Sequence, residues 1–210
     1  MNEAAAEAGP PLPRVFVIGF NRCGTRTIHW YFKSNGYRSV HWDEGRLANR
    51  MFRNLTDSVP LLTGYEQYTV FSDMEQIVAG VFAFEAYKLY PYLAAQYPES
   101  VFLLNTRDVE SWLNSRLEHG RYASKWKTLL HVESDEALLS LWRRDWERHH
   151  EGVERYFSGG SHRFLKLDIE KDPAEKINLA LPEYVLDVEK YSPRGRSGPP
   201  ERHRKLPRPG

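Results

Sequence analysis

The residue types with the clearest chemical potential lie close together in residues 21–27, which read Asn-Arg-Cys-Gly-Thr-Arg-Thr. The segment follows an apolar run, residues 15–20, and precedes a stretch with helical character. Backbone N–H groups at the N-terminus of a helix point outward with positive partial charge, so a loop in this position forms an anion site. Arg22 and Arg26 add full positive charges, and the two threonines add hydroxyl donors. The segment therefore predicts a site for a phosphate or sulfate ester.

The spacing of two glycines here resembles a Walker A loop, in which Gly-x4-Gly is followed by Lys and then by Ser or Thr. Gly19 and Gly24 fit that spacing, but Thr25 stands in place of the lysine and Arg26 in place of the hydroxyl that binds Mg²⁺. Apart from Asp73, no obvious metal-holding acid follows in the usual context at the end of a hydrophobic strand. These departures argue against a standard ATPase or GTPase. A metal-dependent small-molecule or nucleoside kinase remains an alternative.

Two side chains at predicted strand ends, Asp73 and His41, are candidates for a general base. In open α/β sheets ligands bind at the carboxyl edge, where both residues lie if the sheet is parallel. A histidine titrates near neutrality and is a natural base, whereas a carboxylate needs burial to raise its pKa. Two acids, Asp43 and Glu44, follow His41 closely. We favour Asp73 as the base and keep His41 as the alternative.

The alternation of apolar runs and helical segments predicts the elements that position these residues. Five short apolar runs are typical of strands that are buried on both faces: residues 15–20, 37–42, 68–72, 101–106 and 163–168. Helical segments fall between them: residues 25–35, 44–55, 85–97, 108–120 and 134–157. This order predicts a three-layer α/β domain with a mostly parallel five-stranded sheet.

Two motifs in this order resemble the nucleotide-binding segments of sulfotransferases that use 3′-phosphoadenosine 5′-phosphosulfate (PAPS). Arg-Cys-Gly-Thr-Arg-Thr, residues 22–27, is similar to the loop that binds the 5′-phosphosulfate in that family. The strand that ends at Arg107, with Ser115 eight residues later, is similar to the pair that holds the nucleotide 3′-phosphate, and Ser111 is the alternative serine. The likeness covers about residues 14–182 and fits the small bacterial-type enzymes in particular.

The resemblance implies a P-loop NTPase-like fold and transfer of a sulfuryl group from PAPS to a hydroxyl or amine of a small-molecule, glycan or lipid acceptor. It implies adenosine 3′,5′-bisphosphate (PAP) as product, and no metal. The residues that it assigns to the nucleotide are Asn21, Arg22, Cys23, Gly24, Thr25, Arg26, Thr27, Arg107 and Ser115. Arg22, with Arg26 as a second candidate, would neutralise the leaving phosphate, and Asp73 or His41 would be the base. A non-catalytic anion-binding protein of the same fold is a further alternative.

The composition excludes several other classes. With 29 lysines and arginines against 28 acids, the chain lacks the basic excess of a dedicated nucleic-acid binder. A single cysteine, Cys23, excludes an intramolecular disulfide and a cysteine-rich zinc site. No apolar run approaches the roughly 18 residues of a membrane span, and the N-terminal residues lack the pattern of a secretory signal, so we expect a cytoplasmic protein. The oligomeric state has no sequence signal.

Composition also divides the chain into three parts. Residues 1–13 predict a flexible leader, residues 14–191 the α/β domain, and residues 192–210 a disordered tail with six basic residues against one acid. Within the domain, His149 and His150 lie among charged residues and are expected on a solvated helix face. The tryptophans nearby are expected to pack helices together: Trp112, Trp126, Trp142 and Trp146.

Overall fold

A parallel sheet of five strands forms the centre of the protein, for which a computed structural model describes residues 11–193. Seven strands occur in these residues: β1 (Val15–Val17), β2 (Ser39–His41), β3 (Val70–Ser72), β4 (Glu75–Val78), β5 (Phe82–Glu85), β6 (Val101–Thr106) and β7 (Arg163–Asp168). Five of them form one sheet in the order β2-β3-β1-β6-β7, and every neighbouring pair is parallel. The carboxyl ends of these strands therefore meet at one edge of the sheet, as predicted.

Helices connect the strands and cover both faces of the sheet. The α-helices of the described residues are α1 (Thr25–Ser34), α2 (Arg46–Thr56), α3 (Tyr90–Gln96), α4 (Val109–Leu117), α5 (Tyr122–Leu130), α6 (Asp135–Phe157) and α7 (Glu175–Ala180). Short 3-10 turns occur at Asp43–Gly45, Ala86–Leu89 and Val188–Lys190. Asp108 caps α4 by accepting a hydrogen bond from the N–H of Ser111. Ser134 caps α6 in the same way through the N–H of Ala137.

Alternate residues of the sheet bury their side chains on opposite faces. On one face the rings of Phe71 and Phe102 each lie 5.4 Å from that of Phe16, and all three pack beneath helices α2 to α6. On the other face Val15 and Val17 pack beneath α1 and α7. The two apolar clusters join three layers of structure, which confirms the predicted α/β fold class.

Three details of the predicted elements are wrong. β4 and β5 pair antiparallel as a separate hairpin, so Glu85, expected to open a helix, instead ends β5. The turn of this hairpin contains Gly80 at φ 68°, a left-handed conformation that glycine adopts readily. Helix α5 occupies a region with no predicted element. The first strand is also shorter than expected, because β1 ends at Val17, before the loop that leads to α1.

Residues 1–10 and 194–210 lie outside the described residues, so the predicted leader and basic tail are described only at their inner ends. Leu12, in the predicted leader, packs against the apolar cluster beneath α1 and α7, as does Tyr191, the last residue before the predicted tail. Within residues 11–193, no helix combines the length and apolar character needed to cross a membrane.

Candidate active site

The loop between β1 and α1, residues 18–24, is held by buried polar side chains. The amide of Asn105, on β6, contributes most of these contacts and is fully buried. Its Oδ1 accepts a hydrogen bond from the Gly19 N–H at 2.8 Å. Its Nδ2 donates to the carbonyl oxygens of Phe20 at 3.3 Å and Cys23 at 2.8 Å. One side chain therefore fixes three points of the loop, in a low-dielectric setting where such bonds are strong.

Two further side chains bind the loop from the helical layer. The indole N–H of Trp112, on α4, donates to the carbonyl oxygen of Asn21 at 3.0 Å. Nε2 of His149, on α6, donates to the carbonyl oxygen of Ile18 at 2.7 Å. With Asn105, these groups donate hydrogen bonds to four carbonyl oxygens of the loop, those of residues 18, 20, 21 and 23. The N–H groups of the first turn of α1 have no acceptor within the helix and point out of its N-terminus, as an anion site requires.

The backbone conformation of the loop explains its two glycines. Gly24 has φ 76° and Arg22 has φ 63°, and such left-handed residues curl a chain so that neighbouring N–H groups form an anion-binding concavity. A Cβ atom on Gly19 would lie 2.0 Å from the backbone oxygen of Asn105. A Cβ atom on Gly24 would lie 2.9 Å from Cγ2 of Ile169. Both positions therefore require glycine: Gly19 because a side chain has no space, and Gly24 because of both the limited space and its left-handed backbone conformation.

The two arginines singled out by the sequence meet beside this loop. Nε of Arg22 donates to the hydroxyl of Ser115 at 3.0 Å. Nη1 of Arg107 lies 3.4 Å from the carbonyl oxygen of Arg22, and Nη2 of Arg107 pairs with Glu170. Burial, followed by the neighbouring charge of Arg107, lowers the pKa of Arg22. The alternative serine, Ser111, contributes its N–H to the α4 cap.

The remaining predicted residues are Cys23, in the loop itself, and three residues in the first turn of α1. Thr25 and Thr27 are both buried. Arg26 is exposed, and its charge contributes to lowering the pKa of His41, which puts it on the β2 side of the loop. Cys23 is fully buried, and burial raises the pKa of its thiol, so it is a packing residue rather than a nucleophile.

The two candidate bases contact each other. His41 ends β2, Asp73 follows β3, and Nε2 of the imidazole lies 3.4 Å from Oδ2 of the carboxylate. Nδ1 of His41 is 3.1 Å from the hydroxyl of Ser72. The two side chains remain 20% and 16% exposed, so the pair is reachable from solvent. Sequence reasoning treats them as alternatives, whereas the parallel pairing of β2 with β3 makes them a pair.

Burial shifts the pKa values of these two side chains in opposite directions. Burial raises the pKa of Asp73 to about 6, against the opposing charges of His119, Arg116 and Arg22. Burial, together with the charge of Arg26, lowers the pKa of His41 to about 4. At neutral pH Asp73 is therefore ionised and His41 is neutral.

Glu75, which the sequence analysis did not single out, ties this edge to the loop. It is two residues past Asp73, and its Oε1 accepts a hydrogen bond from the Asn21 amide at 2.7 Å. Its Oε2 accepts one from the hydroxyl of Tyr122 at 3.1 Å, and Arg116 donates to that same hydroxyl at 2.6 Å. Burial, then the charge of Asp73, raises the pKa of Glu75 to about 8. The acid has no distinctive sequence context, so only the fold reveals this role.

Arg116 is fully buried in a cage of aromatic rings. Its guanidinium carbon lies 4.8 to 5.6 Å from five ring centroids, those of Phe20, Trp112, Tyr122, Trp126 and Trp142. Cation–π contacts of this kind stabilise a desolvated guanidinium. The tryptophans thus pack helices together, as predicted, and they also surround the cation that anchors the Glu75 network.

The prediction of a solvated face for His149 and His150 is wrong. Both are buried, at 6% and 8% exposure, because they fall on the same face of α6 as Trp142, Trp146 and Val153. Nδ1 of His150 donates to the carbonyl oxygen of Trp146 at 2.9 Å. Burial lowers the pKa of each histidine to about 4. The spacing of the tryptophans was the signal that could have identified this face.

A strained turn follows His41. Four consecutive residues have left-handed φ angles: Trp42 (53°), Asp43 (52°), Glu44 (56°) and Gly45 (80°). The carboxylate of Asp43 holds the turn by accepting hydrogen bonds from Arg46 and from the hydroxyl of Tyr65, both at 2.7 Å. Trp42 is 43% exposed. Strain of this kind persists where surrounding contacts enforce it, and it is frequent at functional sites.

Fold and loop together define a P-loop-like α/β domain with an arginine-flanked candidate anion site at the carboxyl edge of its sheet. Within the described chain, no group of three or more His, Cys, Asp or Glu side chains is placed to hold a metal ion. A family described as "Sulfotransferase domain" matches residues 14–185. The match covers most of the chain, so the protein belongs to this sulfotransferase family, which confirms the resemblance found in the sequence. The curated proteins contain no match to the chain.

Proposed function

We propose that the protein transfers a sulfuryl group from PAPS to a hydroxyl or amine of an acceptor. Family membership supports sulfuryl transfer in general. The specific proposal is carried by one observation, the convergence of Arg107 and Ser115 on Arg22. The loop of residues 22–27 is suited to a 5′-phosphosulfate, and the pair of Arg107 and Ser115 is suited to a 3′-phosphate. Their contact supports a single ligand with an anionic group at each end.

In this proposal the loop holds the reacting end of the donor. The backbone N–H groups of residues 23–27 and the guanidinium of Arg22 bind the 5′-phosphosulfate, with Arg26 as a second cation on the side of His41. Arg107 and Ser115 bind the 3′-phosphate. Guanidinium groups suit this task because their planar fork matches the oxygen atoms of a phosphate.

The reaction is a displacement at sulfur. The acceptor oxygen or nitrogen forms a bond to sulfur, the bond from sulfur to the bridging oxygen of the 5′-phosphate breaks, and PAP leaves with that electron pair. Arg22 and the loop N–H groups stabilise the charge that develops on the departing phosphate. Positioning and electrostatics supply most of the acceleration, by analogy with phosphoryl transfer.

Asp73 accepts the proton of the acceptor. Its carboxylate is ionised at neutral pH, and its pKa of about 6 lies close to the range in which a general base works best. His41 has partners at both ring nitrogens, Asp73 and Ser72, so in this proposal it orients the carboxylate. Because the imidazole is neutral at pH 7, it remains the alternative base.

The acceptor side lies along the exposed flank of the same pair. Trp42 follows His41, and its exposed indole offers a flat surface for a sugar, a phenol or a lipid headgroup. Tyr65 is tied to Asp43 in the adjoining turn. Trp126 is buried in the Arg116 cage and is therefore not part of this surface.

Thermal-shift titration and a transfer assay test the proposal. PAP without magnesium should raise the melting temperature, whereas ATP with magnesium should not. Radiolabelled PAPS should then pass its label to at least one member of an acceptor panel of sugars, phenols and lipid headgroups. Stabilisation by ATP with magnesium alone would favour a kinase. PAP binding without transfer to any acceptor would favour the non-catalytic anion-binding protein.

A further inference from the structure

The guanidinium of Arg107 forms an ion pair with a carboxylate of the protein itself. Glu170, in the turn after β7, pairs with Nη2 of that arginine. The second carboxylate oxygen lies 3.5 Å from the backbone nitrogen of Asp108, at the start of α4. A guanidinium beside the N-terminus of a helix is a favourable position for an anion. Glu170 thus fills an anion position at the edge of the candidate site.

The turn that carries Glu170 is fixed beside the loop of residues 18–24. The N–H of Ile169 donates to the carbonyl oxygen of Thr106 at 2.9 Å, which continues the pairing of β7 with β6. The N–H of Glu170 itself donates to Oδ1 of Asp168 at 3.0 Å. The side chain of Ile169 lies directly over Gly24, where it would meet any added Cβ atom. The backbone therefore holds the carboxylate next to the loop.

The guanidinium of Arg107 has binding capacity beyond this pair. Among residues 11–193, Glu170 is the one acid within ion-pair distance of Arg107. The buried Nε of Arg107 has no hydrogen-bond partner within the same described range. The charge of Arg107 also acts on nearby Arg22 and lowers its pKa, after the larger effect of burial. Two neighbouring guanidinium groups with one paired carboxylate favour the approach of a further anion.

We propose that Glu170 competes with the 3′-phosphate of the nucleotide for Arg107 and so limits how tightly the bisphosphorylated ligand binds. The identity of that ligand rests on the proposed function. A phosphate that reaches Arg107 meets a carboxylate already bound to the same group, and the two negative charges repel each other at short range. The competition loosens PAP, which must leave after every turnover. Glu170 is in this sense a determinant of donor affinity and product release.

Calorimetric titration of Glu170→Gln with two nucleotides tests this competition. Glutamine keeps the size of the side chain and removes its charge. PAP, titrated without magnesium, should bind about 3- to 10-fold more tightly to the variant than to the wild type. Adenosine 5′-monophosphate lacks the 3′-phosphate, so its affinity should change by less than about twofold, which also reports that the loop is intact.

Glu183→Gln is the matched control. Glu183 pairs with Arg163 at 2.5 Å, and both side chains are partly exposed, so the substitution removes a similar ion pair far from the loop. It should leave the affinity for both nucleotides unchanged.

Three results would overturn the inference. PAP binding that is unchanged in Glu170→Gln would remove the competition. Weaker PAP binding would show instead that Glu170 orients Arg107 for the phosphate. If neither the wild type nor the variant binds PAP, the proposed function fails, and the role of Glu170 fails with it.

Discussion

The two halves of the sheet edge are built in opposite ways. On the proposed donor side, four carbonyl oxygens of the loop, those of Ile18, Phe20, Asn21 and Cys23, accept hydrogen bonds from the buried side chains of His149, Asn105 and Trp112. On the proposed acceptor side, residues 42–45 form a strained left-handed turn, Trp42 is exposed, and the pair of His41 and Asp73 remains accessible to solvent.

The difference matches what the two halves are proposed to bind. A donor with fixed charges benefits from a rigid, preorganised set of N–H groups and guanidinium groups, because no reorganisation is then needed during the reaction. An acceptor must be placed against a base, and its variable part contacts whatever surface surrounds that base. The donor half is therefore defined by polar contacts inside the protein, and the acceptor half by the few groups that it exposes.

Removing the proposed base, Asp73, should have the largest effect, and only on the acceptor half. In Asp73→Asn we expect turnover to fall about 10²- to 10⁴-fold, because the acceptor proton loses its destination. The affinity for PAP should stay within about twofold of the wild type, since the residues that hold the loop and the two arginines are unchanged. Steady-state kinetics and calorimetry measure the two quantities. The control is Asp57→Asn, an exposed residue at the end of α2. Full turnover in Asp73→Asn would move the role of base to His41.

Removing the hydrogen bonds that Asn105 donates to the loop should instead weaken the donor half. In Asn105→Asp the groups that face the carbonyl oxygens of Phe20 and Cys23 change from donor to acceptor, so stability should fall by about 3 kcal/mol. Denaturant unfolding measures this loss, and PAP titration should show weaker binding. The exposed Asn114→Asp, on α4, should change stability by less than about 0.5 kcal/mol. Equal stability of the two variants would contradict the account of the loop.

The pH dependence of catalysis should report the acceptor half. In the proposed mechanism Asp73 acts in its ionised form, and burial raises its pKa to about 6, so kcat/KM should fall about tenfold per unit as the pH drops below 6. If His41 were the base, its pKa of about 4 would leave kcat/KM unchanged from neutral pH down to about pH 4. A pH–rate profile between pH 4.5 and 8 distinguishes the two residues.

The buried histidine beneath β6 gives the smallest of these effects. The pKa of His150 is about 4 in the fold and 6.5 as its ordinary value, so the unfolded chain binds the proton more readily. The stability that neutral His150 contributes is therefore present above pH 6.5 and is lost as the pH falls towards 4. The stability difference between wild type and His150→Gln should shrink by about 1 kcal/mol or more between pH 7 and 5. A constant difference, measured by denaturant unfolding, would contradict neutral burial.

The sequence predicted the parts of the fold that depend on local pattern. Short apolar runs, most of them continuous or nearly continuous, identified all five strands of the sheet, and the glycines and arginines of residues 19–26 identified the loop. The hairpin of β4 and β5 was not predicted. Its first strand, Glu75-Gln-Ile-Val, mixes polar and apolar residues, and no clear turn signal precedes that strand.

Contacts across long sequence separations could not be read from the chain. Asn105 is one polar residue in an apolar strand, and its bonds to the loop join positions more than 80 residues apart. The pairing of His41 with Asp73 requires β2 to lie next to β3, and the link from Asn21 to Glu75 requires the hairpin. Glu170 follows the last strand, and only the sheet order brings it to Arg107.

Nucleotide affinities of two arginine variants test most directly whether the loop and Arg107 hold the two ends of one ligand. In the wild type, PAP should bind more tightly than adenosine 5′-monophosphate. In Arg107→Ala that advantage should disappear while the affinity for the monophosphate stays the same, whereas Arg22→Ala should weaken both nucleotides. An advantage of PAP that survives in Arg107→Ala would contradict the account, because the 3′-phosphate would then be bound elsewhere.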